Sequence, residues 1–385
     1  MKTVLFNTHD LALIVTMYEC ILFAFCLITL KKGNKLSNVL LAFFLLSHAA
    51  IPLDNLIIFG EAFRQYAIDF SPNIFYLFGN AYWLEAVFLL FYVRSLVYKN
   101  YRLKWQDCLY FIPFVVYFLH EYTQWYGLDV NTKRAMLNGY ELSEQPTYVY
   151  YVNLFRECFR TFCGVLCLIE LRHYQKQIKN ELADIEAVDL TWLKILVLGF
   201  LLIRLDAIIV SLGMIFSFQV GFEVDYEALG LISNWTVLFL ISFLIFFSMG
   251  FSSVFQGIVP HKETELEKEP ISKDVVEQIQ RYMSEQKPYL NHVLTIDNLA
   301  KQLNIAPRTL SQIINRHFHQ NFFEFINQYR VEESKALLIC EKHKKSTMLD
   351  VMDLAGFNSK ATFNTFFKKI VGSTPTQYRK DKLVS

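Results

Sequence analysis

The residues able to do chemistry fall into two sets. One is a group of charges embedded in otherwise apolar stretches: Glu85, Arg160, Arg204 and Asp206, with Asp54, Arg156 and Glu157 nearer one end of theirs. A charge inside a long apolar segment is rare, and pairing is the simplest way to hold it there. Glu85 is therefore expected to pair with Arg160 or Arg204. Such a cluster could line an outward-facing ligand pocket or act as a switch, or it could be a set of structural pairs between helices. Arg94 and Glu170 lie near the ends of their stretches, where snorkelling to a polar boundary accounts for them. The other set is polar and cationic and lies near the C-terminus: Arg308, Thr309, Ser311, Gln312, Asn315 and Arg316, then Ser359, Lys360, Ala361, Asn364, Thr365, Lys368, Lys369 and Arg379. Catalytic patterns are missing. There is no His-Glu-x-x-His, no phosphate-binding glycine loop and no Gly-x-Ser-x-Gly elbow, so no enzyme is expected. Cys163 and Cys167 share a helix face but read as packing, and no metal or cofactor is expected.

The elements that position these sets differ in kind. The chain has 385 residues, 54% hydrophobic, 16% aromatic and 19% charged, where a soluble protein averages about 25% charged. Residues 1–256 carry 18 Lys/Arg against 21 Asp/Glu, and residues 273–385 carry 17 against 11. A near-neutral apolar part is thus joined to a small basic one. About 20 apolar residues suffice to cross a bilayer. Six stretches qualify readily: Leu11–Leu30, Ser37–Phe59, Pro72–Tyr98, Tyr148–Leu171, Trp192–Phe218 and Ala228–Val254. Cys108–Tyr126 is a weaker seventh. With seven spans, Lys31, Lys32, Lys35, Lys99, Arg102, Lys104, Arg172, Lys176, Lys179 and Lys194 fall on one side, and only Arg64, Lys133 and Arg134 on the other. The positive-inside tendency then puts the N-terminus outside and everything after Val254 in the cytoplasm.

Residues 257–272, with Pro260, Pro270 and alternating Glu and Lys, read as a charged linker between a domain at 1–256 and one at 273–385. Beyond it the pattern is soluble and helical. Thr295 can cap a short helix whose Leu299, Ala300 and Leu303 share a face. Asn304–Pro307 make a turn, and a second helix runs from about Arg308 to Phe318 with Leu310, Ile313 and Ile314 facing back. The arrangement recurs: a helix over 349–355, a turn at Gly356 suited to positive φ, and a helix capped by Ser359 with Phe363 and Phe367 buried. Phe322–Cys340 is long enough to connect the two units. Two helix-turn-helix candidates stand in tandem.

The stretch Gly356-Phe-Asn-Ser-Lys-Ala-Thr-Phe-Asn-Thr-Phe-Phe-Lys-Lys, with Gly372-Ser-Thr-Pro375 and Tyr378-Arg379 after it, resembles the signature of the AraC/XylS family of bacterial transcription regulators. The spacing to Leu299-Ala300 and to Tyr329-Arg330 with Ala336-Leu337-Leu338 matches too, so the resemblance covers roughly 289–379. Typical members carry a soluble sensor where this chain has apolar spans, which makes it similar to the membrane-embedded subgroup. The apolar spans and the resemblance together give an all-α protein, a seven-helix transmembrane bundle followed by a soluble tandem helix-turn-helix domain. It implies that Arg308, Ser311 and Gln312 on the first recognition helix read bases, with Thr309 and Asn315 exposed beside them. Lys360, Ala361, Asn364 and Thr365 hold that place on the second. Arg and Lys prefer guanine, Asn and Gln adenine. Arg316, Lys368, Lys369 and Arg379 suit phosphate.

The expected protein is a one-component regulator in the inner membrane of a bacterium. Its bundle senses an unknown signal molecule and its tail binds double-stranded promoter DNA. The lipid bilayer, RNA polymerase and a second copy of the chain are further partners. The alternative is a seven-span transporter or membrane scaffold whose helix-turn-helix tail serves protein interaction.

Overall fold

The computed structural model describes residues 7–29, 35–98, 101–139, 147–184, 191–220, 226–250 and 273–384. The expected linker at 257–272 lies outside the described residues. Those residues fold into helices and turns with a single isolated antiparallel bridge between Leu182 and Thr295. They form two compact units. One comprises the described residues of Met1–Leu171 and Leu190–Pro260, the other those of Arg172–Asp189 and His261–Ser385. Chain order alone does not place Arg172–Asp189 with the C-terminal unit.

The first unit contains α1 (Thr8–Thr29), α2 (Lys35–Phe59), α3 (Glu61–Phe70), α4 (Ala81–Val97), α5 (Ile112–Glu121) and α6 (Val130–Gly139). To it also belong the greater part of α7 (Thr147–Glu181), then α8 (Thr191–Val220) and α9 (Tyr226–Gly250). Helix α2 packs between α1 and α4, and α9 packs on α1 and α8. By length and composition, Thr8–Thr29, Lys35–Phe59, Pro72–Val97 and Thr191–Ser217 could cross a membrane, and Ala228–Phe243 is a shorter apolar helix. The expected span Tyr148–Leu171 lies within α7, whose Arg156, Glu157, Arg160 and Glu170 interrupt its apolar run. The expected span Cys108–Tyr126 is not one α-helix. A 3-10 stretch over Trp105–Phe111 leads into the ten residues of α5, and a π turn follows over Tyr122–Tyr126. Pro113 accounts for the first break, since its ring fits the first turn of a helix but cannot donate a backbone hydrogen bond further in.

A group of charges in this unit faces inward while many apolar side chains face outward. Leu22, Phe25, Val116, Phe155, Phe162, Ile169, Leu205, Ile209 and Phe239 are each about half exposed, while Glu85, Glu157, Arg160 and Arg204 are buried. Arg94 and Glu170 do not snorkel; they meet. Arg94 Nε donates to Glu170 Oε1 at 2.9 Å and its Nη1 to Asp107 Oδ1 at 3.2 Å, while the Tyr98 hydroxyl donates to Glu170 Oε2 at 2.6 Å.

The second unit holds α10 (Lys273–Gln286), α11 (Ile296–Leu303), α12 (Pro307–Arg316), α13 (Phe322–Ile339), α14 (Met348–Leu354), α15 (Lys360–Val371) and α16 (Pro375–Val384). Two small cores share α13. Leu299, Ala300, Leu310, Ile313 and Ile314 pack with Phe322, Phe325 and Ile326 in one. Val351, Ala355, Phe357, Phe363 and Phe367 pack with Phe323, Val331 and Leu338 in the other. Local chemistry sets the helix starts. Thr295 accepts a hydrogen bond from the Asn298 N–H, and Asn321 and Thr347 form capping boxes with Glu324 and Asp350. Asn304, with φ of 56°, ends α11 in the left-handed conformation that asparagine tolerates.

Gly356 turns the chain between α14 and α15 with φ of +83°, and a Cβ there would lie 2.5 Å from the Tyr289 carbonyl oxygen and 2.7 Å from Leu290 Cα. Gly372 has nearly the same φ, +82°, but open space around it. Strain and overlap act together at the first and strain alone at the second. Gly356→Ala is expected to destabilise the C-terminal unit by about 3–5 kcal/mol and Gly372→Ala by about 1 kcal/mol. Thermal unfolding of both variants in detergent, followed by circular dichroism, measures the difference.

Candidate nucleic-acid interface and buried charge cluster

In the C-terminal unit, α11 with α12 and α14 with α15 are the two helix-turn-helix pairs. Each second helix turns its apolar stripe inward: Leu310, Ile313 and Ile314 on α12, and Phe363, Phe366 and Phe367 on α15, are all buried. The opposite stripe of α15 carries Lys360, Ala361, Asn364, Thr365, Lys368 and Lys369, all exposed. On α12, Thr309, Asn315 and Arg316 are exposed and Arg308, Ser311 and Gln312 half-buried. Asn315 holds its amide against the Ser311 carbonyl at 2.9 Å, and Lys369 Nζ reaches Glu324 Oε1 at 3.2 Å.

Two of the expected contact residues make bonds within the domain. Ser359 is buried and its hydroxyl accepts the Thr362 N–H at the start of α15, so it fixes the helix rather than projecting from it. Arg379 is half-buried, and its Nη1 donates to the Ser346 carbonyl at 2.7 Å.

Sequence reasoning missed a hub beneath this surface. Arg330 on α13 is 1% exposed. Its Nε donates to the Tyr289 carbonyl at 2.8 Å, Nη2 to that of Asn291 at 3.0 Å and Nη1 to that of Ala183 at 3.1 Å. Its guanidinium also lies over the Phe357 ring, 5.8 Å from the centroid. Burial lowers its pKa to about 10, with Asp184 acting in the opposite direction, so it stays a cation at neutral pH. Ala183, fully buried, donates its N–H to the Leu294 carbonyl at 3.1 Å. The signal in the sequence was Arg330 itself, a long cation inside an amphipathic helix. Ala183 gave no signal.

In the first unit the structure joins Glu85, Arg160 and Arg204 through Glu157 and brings in His48 and Arg156. Glu85 accepts from both Arg160 Nη2 and His48 Nδ1. Arg160 Nη1 also donates to Glu157 Oε1 at 2.9 Å, and Arg204 Nη1 donates to Glu157 Oε2 at 3.0 Å. Arg156 Nε reaches Glu157 at 3.2 Å while its guanidinium stacks over Tyr82, 3.9 Å from the ring centroid. Glu85 therefore pairs with Arg160, while Arg204 takes Glu157. Asp54 is buried beside Gly79, with Oδ2 3.2 Å from where a Cβ of that glycine would lie. Asp206 is only half-buried. Neither makes a direct bond to the cluster among the described contacts. His48 escaped notice because a lone histidine in an apolar run most often reads as a core residue. A cavity of about 310 Å³ opens onto the cluster, lined by Arg156, Glu157, Arg160, Arg204 and His48 together with aliphatic side chains such as Leu13, Ile203 and Met214. Among the described residues no group of His, Cys, Asp and Glu is arranged to hold a metal ion.

Residues 299–381 match the family described as "Helix-turn-helix domain". The Msm operon regulatory protein of Streptococcus mutans is 27% identical over 109 residues, 26% of this chain and 38% of that protein. The melibiose operon regulatory protein of Escherichia coli is 26% identical over 132 residues, 33% of this chain and 41% of that protein. An uncharacterized transcriptional regulator of Bacillus subtilis, YtdP, is 29% identical over 89 residues, 23% of this chain and 11% of that protein. The chain thus spans less than half the length of each of these relatives. No solved structure matches it. The C-terminal part of the chain is an AraC-type helix-turn-helix domain, similar to that of bacterial operon regulators.

Proposed function

We propose that the protein is a membrane-bound one-component transcription regulator, with helices of the first unit spanning the bilayer and the C-terminal domain binding promoter DNA in the cytoplasm. The observation that carries it is the union, in one chain, of a helix-turn-helix domain with a unit that is apolar outside and charged inside. That inversion is the arrangement a lipid solvent favours. It supports a span in α7 even where composition argues against one, because Glu157, Arg160 and Glu170 are spent on ion pairs while Phe155, Phe162 and Ile169 face out. The ten-to-three distribution of basic residues between alternate loops supports an external N-terminus. The exposed donors on α15, and the charge excess of residues 273–385, support contact with DNA.

The cavity beside the cluster is the site for the signal in this reading. At about 310 Å³ it sits at the small end of ligand sites. Arg160 Nε, Arg204 Nε and His48 Nε2 are buried without hydrogen-bond partners. A small amphiphile with an anionic or strongly accepting head suits these groups, with its apolar body against Leu13, Ile203 and Met214. By binding one bundle geometry better than another it would shift the population of states competent for DNA. RNA polymerase and a second copy of the chain remain partners of the proposed regulator.

Chromatin capture with the full-length membrane protein tests the whole reading. Peaks sharing two half-elements about one helical turn apart are expected, whereas no enrichment from abundant membrane-inserted protein would overturn it. On such a site Arg308→Ala is expected to cost about 1–3 kcal/mol and relax base preference at one position. Lys368→Ala should weaken all sequences alike and reduce the slope of log K against log salt by about 1; titrations at several salt concentrations measure both. In the cluster, Glu85→Leu and Arg160→Leu should each destabilise the bundle by about 3–5 kcal/mol. Each removes one partner from a buried charge that keeps its others, so the double variant should lose less than the sum. Melting in detergent, arranged as a double-mutant cycle, gives the coupling.

A further inference from the structure

One side of the reading helix α12 faces a groove. The last turns of α7 lie across a groove of about 320 Å³ from it, and that groove is lined by Gln177, Asn180 and Glu181 on one wall and Arg308, Ser311, Gln312 and Asn315 on the other. Arg308, Ser311 and Gln312 are the residues to which the resemblance gives base contact. Immediately after α7 the chain is fastened to the domain. Leu182 bridges Thr295, Ala183 is fully buried in the first core and hydrogen-bonded to Leu294 and Arg330, and Asp184 Oδ2 accepts from Asn358 Nδ2 at 3.0 Å. Asn358 directly precedes the cap of α15, so the strap touches both helix-turn-helix pairs.

A DNA major groove is about 12 Å wide, and one helix with its side chains about 10–12 Å across. It admits α12 but not α12 with a second helix alongside. We infer that Gln177–Asp184 is an autoinhibitory strap: docked, it blocks insertion of α12 into DNA, and the regulator binds its promoter only when the strap leaves the groove. This rests on the DNA-binding reading above and deepens it by naming what controls that surface. Glu181 sets a carboxylate in the groove shared with Arg308, where a nucleic acid would set its acceptors. The strap follows in sequence from the part of α7 that carries Glu157 and Arg160.

The test uses the full-length chain in lipid nanodiscs. Leu182 and Thr295 are antiparallel bridge partners, a spacing compatible with a disulfide, so Leu182→Cys with Thr295→Cys locks the strap on oxidation and frees it on reduction. Ala183→Glu removes the buried anchor. The probe is a 40-base-pair duplex enriched from a random pool by the reduced pair and by Ala183→Glu. The locked protein is expected to bind it at least about tenfold more weakly than Ala183→Glu, as for a reading face that is free less than a tenth of the time, with the single-cysteine variants unaffected by oxidant. If Ala183→Glu does not fold, the oxidised and reduced states of one preparation make the same comparison. Equal binding by locked, reduced and Ala183→Glu proteins overturns the strap and leaves DNA binding intact. Failure of every folded form to enrich any sequence overturns the DNA reading, and the strap with it.

Discussion

A guanidinium without a carboxylate ties together separate segments of the C-terminal unit. Arg330 serves three main-chain carbonyls from two separate segments, Ala183 on one side and Tyr289 and Asn291 on the other, and lies over Phe357 of the second core. Without Arg330 the Ala183 and Tyr289 carbonyls would lose their donor, at a cost of about 1–3 kcal/mol apiece. A planar cation with five donors is suited to this work, and a lysine is not. The two helix-turn-helix pairs are thus joined by more than the length of α13. Their relative position is set by one side chain that reads the backbone of the neighbouring turn, where Gly356 lets the chain pass close to Tyr289 and Leu290.

The first unit solves the opposite problem. The buried charges of its cluster are paired, and the pairs are shared: Glu157 serves three arginines, and Glu85 an arginine and a histidine. A shared network is sensitive to small shifts, since moving one helix changes the partners of several groups at once in a region of low dielectric. That sensitivity is an asset where a weak stimulus must alter a packed bundle. It also explains how α7 can be rich in charge and still present Phe155, Phe162 and Ile169 to its surroundings.

Much of the C-terminal domain was legible because its signals are local. The Thr295 and Ser359 caps, the positive φ at Gly356 and the buried Phe363 and Phe367 all depend on a few neighbouring residues, and each stands where the sequence indicates. The Glu85–Arg160 pair was legible because an apolar segment leaves a charge few choices. Contacts between segments distant in sequence were not legible. Nothing in Gln177–Asp184 marks it as part of a domain that begins some ninety residues later, and Ala183 is chemically silent. His48 and the Arg94–Glu170 pairing were missed for the same reason, since their partners come from other helices. Ser359 and Arg379 match the resemblance by position, but packing turns both inward.

Because the strap and the reading helix belong to one chain, they meet at an effective concentration fixed by the intervening residues rather than by how much protein the cell makes. Free DNA sites compete against that local concentration. Raising the copy number of the regulator would multiply closed and open molecules alike and leave their ratio unchanged. The set point of such a device is written in the stability of a few contacts around Ala183, and it is insulated from fluctuations in expression.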